Sequence, residues 1–300
     1  MRRSHTGTIT MLLSSVFFAA MAALIRATPS VNSYILGMAR FVVGTLVCFG
    51  LFAVKLDRPR WVNWPWIIVR GVVGSIAVVI FFWSIQEIGL AKATMLNYTY
   101  VIWAGVLAVP MLGERLRLMQ WLAVVVAVAG VGLLFEVHGL SVAPADAIAL
   151  FGGTCSGIAV IAVTRCRDTD SSTNVFWSQS LFGIGAVAWP MATHWATPTL
   201  VQVYAMVAVG LLAAAGQLLM TYAYKHTGAT QGSLLSLVTP VLGGAVGVAC
   251  FHEPLTLRFA VGTLLILLSC GYLALDPVKR GKPMVMPDPS AADCDEETGS

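Results

Sequence analysis

The sequence predicts an all-α polytopic membrane protein with ten transmembrane helices in two five-helix repeats of opposite orientation. Three observations carry this. Apolar residues make up 58% of the 300 residues and charged residues only 11%, with a mean hydropathy of +0.82, too little charge to cover a soluble globule of this length. The apolar runs are about as long as a helix needs to cross a hydrocarbon core of roughly 30 Å, and they lack the alternation of barrel strands. The second five runs also follow the first five at a constant offset of 139 residues, which lays Gly44 on Gly183, Gly71 on Gly210, Gly89 on Gly228, Gly105 on Gly244 and Glu114 on Glu253. An odd number of crossings per copy turns the second upside down relative to the first.

In order, the first copy is expected to cross at 8–26, after Arg2 and Arg3; at 34–54, stopping at Lys55; at 66–86, behind Trp61, Trp64 and Trp66, rings suited to the membrane interface; at 92–112, between Gly89 and Gly113; and at 119–135, after Arg117. The second copy crosses at 146–164, before Arg165; at 174–194, passing Pro190; at 203–224, before Lys225; at 230–251, after Gly228; and at 258–275, before Asp276. The repeats occupy 8–135 and 146–275, and 276–300, rich in Pro, Asp and Glu toward its end, is expected to be a disordered cytoplasmic tail. Met1-Arg2-Arg3, the apolar run and Ala20-Met21-Ala22 have the outline of a signal peptide, but the sixth helix is the repeat partner of the first, so the first is read as retained.

Basic residues orient the chain, because Lys and Arg concentrate in cytoplasmic loops. With the N-terminus inside, fourteen fall inside, among them Lys55, Arg58, Arg60, Arg70, Arg115, Arg117, Arg165, Arg167, Lys225, Lys279 and Arg280. Only Arg26, Lys92 and Arg258 fall outside, and Arg40 lies within the membrane. The expected location is the cell inner membrane, with both termini cytoplasmic. The net charge of +4 is topological and implies no nucleic-acid partner. The six cysteines form no Cys-x-x-Cys pair and the five histidines no ligand spacing, so no metal or cofactor is expected. The chain also lacks a phosphate loop, a nucleophile elbow and paired acids, so an enzyme is not expected.

Gly89-Leu90-Ala91-Lys92-Ala93 and Gly113-Glu114-Arg115-Leu116, with Gly228-Ala229-Thr230 and Thr239-Pro240 in the second copy, resemble the EamA repeat of the drug/metabolite transporter superfamily over roughly residues 8–275. The resemblance implies two inverted five-helix repeats around a central cavity, alternating access, and transport of a small organic molecule. Val101 stands where many members carry proline, which implies that only the ninth helix breaks in mid-span, at Pro240.

The resemblance puts the fourth and ninth helices against the cavity, so the candidate substrate-binding residues are Asn97, Tyr98, Tyr100 and Trp103 with Ser236 and Thr239. Asn97 and Ser236 are repeat equivalents, as are Tyr100 and Thr239. The competing reading is that the small hydroxyls join helices to one another. Trp83 extends the ring cluster, which together with Trp177, Tyr222 and Tyr224 suits an aromatic, heterocyclic or cationic ligand or serves as interfacial anchors. Arg40, about two turns inside the second helix, with its repeat partner Gln179, is either a carboxylate or phosphate anchor or a structural charge bonded to carbonyls or Glu87. Pro240 should kink the ninth helix and leave a free carbonyl, a candidate gate. Glu87, Glu114 and Glu253 are candidates for proton coupling, with helix capping as the ordinary alternative.

The expected function is secondary transport, in the direction of export, of an amino acid or related compound with aromatic character. Uptake of a vitamin, nucleoside or sulfonium metabolite such as riboflavin or S-adenosylmethionine is the alternative, and a non-transporting lipid-binding or structural membrane protein is the alternative of another class. The expected partners are the small-molecule substrate and the lipid bilayer; proton coupling and a homodimer stay open.

Overall fold

Long apolar runs leave the backbone no water to bond, so they close their own hydrogen bonds as helices. The computed structural model describes residues 2–28, 31–88, 90–134, 144–251, 256–276 and 278–280. Its helices are α1 (Arg2–Ala27), α2 (Ser33–Ala53), α3 (Trp64–Ile88), α4 (Leu90–Tyr98), α5 (Tyr100–Leu112), α6 (Leu118–Leu134), α7 (Pro144–Cys166), α8 (Ser172–Thr193), α9 (Leu200–Thr227), α10 (Ala229–Leu235), α11 (Val238–Phe251) and α12 (Leu257–Leu275). Among the described residues, six stretches are long and apolar enough to cross a membrane: His5–Ile25, Tyr34–Ala53, Trp64–Ser84, Pro144–Cys166, Leu200–Thr227 and Ala229–Cys250. Leu12, Val16, Leu122, Val125, Leu264 and Leu268 turn outward, as lipid-facing side chains do. The starts carry their expected caps. The Asn32 side chain accepts the Tyr34 N–H at 2.8 Å, and Thr199 and Gln202 form a reciprocal capping box.

The expectation that only the ninth helix breaks is wrong: α4 and α5 part at Thr99, just as α10 and α11 part at Ser236 and Leu237. A threonine does in the fourth what proline does in the ninth. The Thr99 hydroxyl donates to the Leu96 carbonyl at 2.6 Å and its N–H to the same oxygen at 3.3 Å, so the local turn competes with the helical ladder. In the ninth, Pro240 offers no N–H to the Ser236 carbonyl four residues back. That carbonyl is not left free, because the Thr239 N–H reaches it at 2.9 Å in a tighter turn. The helix kink therefore precedes Pro240. Pro190 does not end its helix either, since α8 runs on to Thr193.

Polar contacts gather the basic loops at one end of the bundle. Asp170 accepts the Val62 and Asn63 N–H groups at 2.8 and 3.0 Å, the Asn174 amide donates to the Arg58 carbonyl at 2.9 Å, and Arg165 donates to the Met111 carbonyl. Arg167 lies in the same network, donating to the Asp170 carbonyl, and its burial pushes the guanidinium pKa below its ordinary value. Part of the expected tail belongs here too. Lys279–Arg280 pair antiparallel with Glu114–Arg115, and Asp276 accepts from Arg117 and Gln120, because a strand edge and an acid stand beside basic partners. Residues 281–300 lie outside the described residues.

Glycines set how closely the central helices cross. A Cβ on Gly71 of α3 would sit 2.3 Å from the Phe182 ring of α8, and one on Gly210 of α9 would sit 2.6 Å from Val43 of α2. The same holds for Gly44 against Ser180 at 2.8 Å and Gly183 against Phe41 at 2.5 Å. Small residues at such crossings let backbones approach where no hydrophobic force draws helices together. Gly71→Ala should therefore destabilise the detergent-solubilised protein by about 1–3 kcal/mol of overpacking, read as a lower melting temperature. Gly50→Ala, whose Cβ meets nothing within 4 Å, should leave it unchanged.

Candidate functional site

The two broken helices meet at their breaks. Tyr100, the first residue of α5, shares a hydrogen bond through its hydroxyl with Ser236, which caps α10, and Ser236 in turn donates to the Ser233 carbonyl at 2.6 Å. From this bond toward the basic end, α5 packs on α10, with Gly105 facing the Thr230 methyl, and residues 229–237 are all buried. Glu114 completes the closure. Its carboxylate, 1% exposed, accepts the Ala229 N–H at 2.7 Å and the Thr230 N–H at 3.2 Å, capping α10 from across the seam. Gly113 (φ 66°) and Gly228 (φ 81°) supply the left-handed turns that bring the acid and the helix start together. Away from the basic end, α4 and α11 show no comparable packing on each other among the described residues, and Val238, Thr239 and Pro240 are only half-buried.

Around the Tyr100–Ser236 bond stand the other residues of the fourth and ninth helices. Tyr98 and Tyr100 hold their rings 6.0 Å apart. Asn97 is half-buried and its side-chain amide oxygen accepts from Ser156 of α7 at 3.2 Å, a helix-to-helix bond of the kind weighed against ligand binding. Trp103 packs its Cβ against Gly157 of α7. Thr239 turns its N–H to the Ser236 carbonyl. Tyr224, fully buried, sets its ring against Gly232 of α10 and so backs the same seam; it is no interfacial anchor. The remaining rings lie elsewhere. Trp83 packs with Tyr34, Phe41, Phe82 and Val187, and Trp177 joins Phe49, Phe52 and Trp61 at centroid distances of 5.2–6.0 Å near the basic loops.

Arg40 and Gln179 do not meet as a pair. Arg40, half-buried, donates to the Gln217 side-chain oxygen of α9 at 3.2 Å, not to Glu87. Gln179 of α8 accepts at 2.6 Å from Arg70, which at 4% exposure is deep in the protein and not a loop cation. Glu87 is exposed at the end of α3, and Glu253 lies outside the described residues. No group of three or more His, Cys, Asp or Glu side chains among the described residues could hold a metal ion.

A bundle with two interrupted helices abutting at their breaks is the geometry in which known transport proteins bind solutes, and the family comparison agrees. The EamA-like transporter family profile matches residues 5–136 and 143–275. The chain belongs to that family. It is 26% identical over 285 residues to the pseudopaline exporter of Pseudomonas aeruginosa, covering 92% of this chain and 98% of that one. It is also 25% identical over 284 residues to an uncharacterized transporter of Helicobacter pylori (90% and 94% covered) and 26% identical over 268 residues to the uncharacterized transporter YwfM of Bacillus subtilis (85% and 88%). A solved crystal structure, 19% identical, superposes with a TM-score of 0.73 over 91% of this chain and 98% of the other, which shows the shared fold.

Within this EamA-family protein, Arg70 and Gln217, the partners of Gln179 and Arg40, are polar residues that sequence reasoning did not single out. Arg70 looked like a helix-mouth cation, and only its offset from the Trp61–Trp66 belt by a further turn could have marked it as buried. Glu114 is engaged as a cap. Glu114→Ala should leave two helix-start N–H groups without an acceptor, lower stability by ~1–2 kcal/mol and speed amide exchange at Ala229 and Thr230. Glu114→Gln, which keeps an acceptor oxygen, should lose less.

Proposed function

We propose that this chain is a secondary transporter that exports a small organic metabolite, an amino acid or related compound, across the cytoplasmic membrane by alternating access. The observation that carries the reading is the seam between the fourth and ninth helices, closed by α5 on α10 toward the basic end, with no comparable packing of α4 on α11 among the described residues at the other. With the basic loops cytoplasmic and both termini inside, this is an outward-facing arrangement. Export is favoured by the function named for the Pseudomonas relative.

Ten crossings in two inverted repeats fit the path of the chain. Gly7 lies against His226 and Thr227, and each later loop at the basic end follows two helical passes. Packing partners also exchange between halves: α3 on α7 answers α9 on α1, α3 on α8 answers α9 on α2, and α5 on α7 answers α11 on α1. At atomic scale, Gly71 against Phe182 becomes Gly210 against Val43 when each residue is replaced by its partner 139 positions away. The site consists of Asn97, Tyr98, Tyr100, Trp103, Ser236 and Thr239 at the two breaks, and the turn before Pro240 is the hinge.

Untargeted metabolite profiling of cells and medium, with the protein absent or overproduced, tests this. A compound should accumulate in the medium when the protein is overproduced. Asn97→Leu and Tyr100→Ala should each cut that accumulation at least fivefold while reaching the membrane at the normal level. Normal export by both variants would refute the site, and no shifted compound would refute transport.

A further inference from the structure

Arg40 and Arg70 place guanidinium groups within the helices of the bundle, and among the described residues neither is bonded to an acid. Arg40 of α2 has its side-chain hydrogen bond with Gln217, at 3.2 Å, and Arg70 of α3 has its own with Gln179, at 2.6 Å. Both acceptors are neutral amides that are 2% and 3% exposed. The Nε atoms of both arginines and the Gln217 Nε2 are buried without a partner. The ion pair seen among the described residues, Arg117 with Asp276, belongs to the basic loops. Arg40 and Arg70 also repel each other electrostatically, and no acid among the described residues is bonded to either.

A charge buried for structure alone is ordinarily paired, because an unpaired ion loses its hydration without return. Here each arginine is held in direction by a glutamine and left electrically open. The helix pairs correspond, α2 reaching α9 as α8 reaches α3, and Arg40 and Gln179 stand at equivalent repeat positions, although Arg70 and Gln217 do not. Arg40 is the accessible member, half-buried, while Arg70 is buried.

Resting on the transport reading above, we propose that the cargo is an organic anion with at least two acidic groups, one seated bidentately on Arg40 and the total charge matched to Arg40 and Arg70 together. Carboxylates suit the guanidinium fork, and a dianion removes the repulsion between the two cations as it enters. A neutral or cationic solute would leave that repulsion in place.

The test counts acids on the exported compound and cancels the cations internally. Compounds whose export follows the protein in metabolite profiling are esterified with acidic methanol, and the number of methyl groups gained is read by mass spectrometry; at least two are expected. Gln217→Glu and Gln179→Glu place a carboxylate beside Arg40 and Arg70, respectively, without changing side-chain length. Each should raise the melting temperature of the purified protein and cut export at least tenfold, whereas Arg40→Lys should retain part of it. A purely structural pair of arginines would gain the same stability with export unchanged. Cargo with one acid or none, or Gln217→Glu and Gln179→Glu both exporting at the wild-type rate, overturns the proposal while leaving transport intact. If no compound follows the wild-type protein, transport itself fails and this assignment with it.

Discussion

A backbone group facing hydrocarbon must find its partner within the protein, and that constraint governs where this bundle can be irregular. The fourth and ninth helices are both interrupted, and each interruption is tolerated because a specific donor or acceptor stands at it. Thr99 turns its hydroxyl and N–H to Leu96, Thr239 gives its N–H to the carbonyl that Pro240 cannot serve, and Tyr100 bonds Ser236 across the gap. Glu114 satisfies the start of α10 from the far side of the seam. The breaks are therefore stable only while facing each other. A motion that separates α5 from α10 must find new partners for the same groups, and water entering from the basic end is the available one.

The same reasoning separates what the sequence could tell from what it could not. Helix positions were legible to within a few residues because apolar runs bounded by charges and glycines have one solution in lipid; the expected 34–54 and 258–275 became Ser33–Ala53 and Leu257–Leu275. The break at Thr99 was not legible, since a threonine in a helix commonly bonds the preceding turn without ending it, and only the packing of α4 on α7 shows which outcome prevails. Attention to the absent proline at Val101 pointed away from it. The strand pair at 114–115 and 279–280 was hidden for a related reason: a two-residue ladder has no periodicity to read.

Side-chain partners were the least legible layer. Repeat arithmetic joined Arg40 to Gln179 by depth, yet each bonds to a third party, here Gln217 and Arg70. The aromatic residues divide too. Tyr98, Tyr100 and Tyr224 converge on the seam, whereas Trp83 and Trp177 pack in two separate clusters, with Phe41 and Phe82 and with Phe49 and Phe52. What a ring or a charge contacts depends on the helix face that lipid leaves available, and hydropathy alone does not resolve faces in a helix apolar all round.

The proposed transport requires the two homologous halves to have opposed polarity, and site-directed labelling tests that requirement directly. Single cysteines at Leu116 and Leu255, equivalent positions of the two turns, are introduced into a cysteine-free version and probed in intact cells with a membrane-impermeant maleimide. The cysteine at position 255 should react from outside and the one at 116 only after the membrane is opened. Reaction of both from the same side would contradict the inverted repeat, and with it the seam as a passage between compartments.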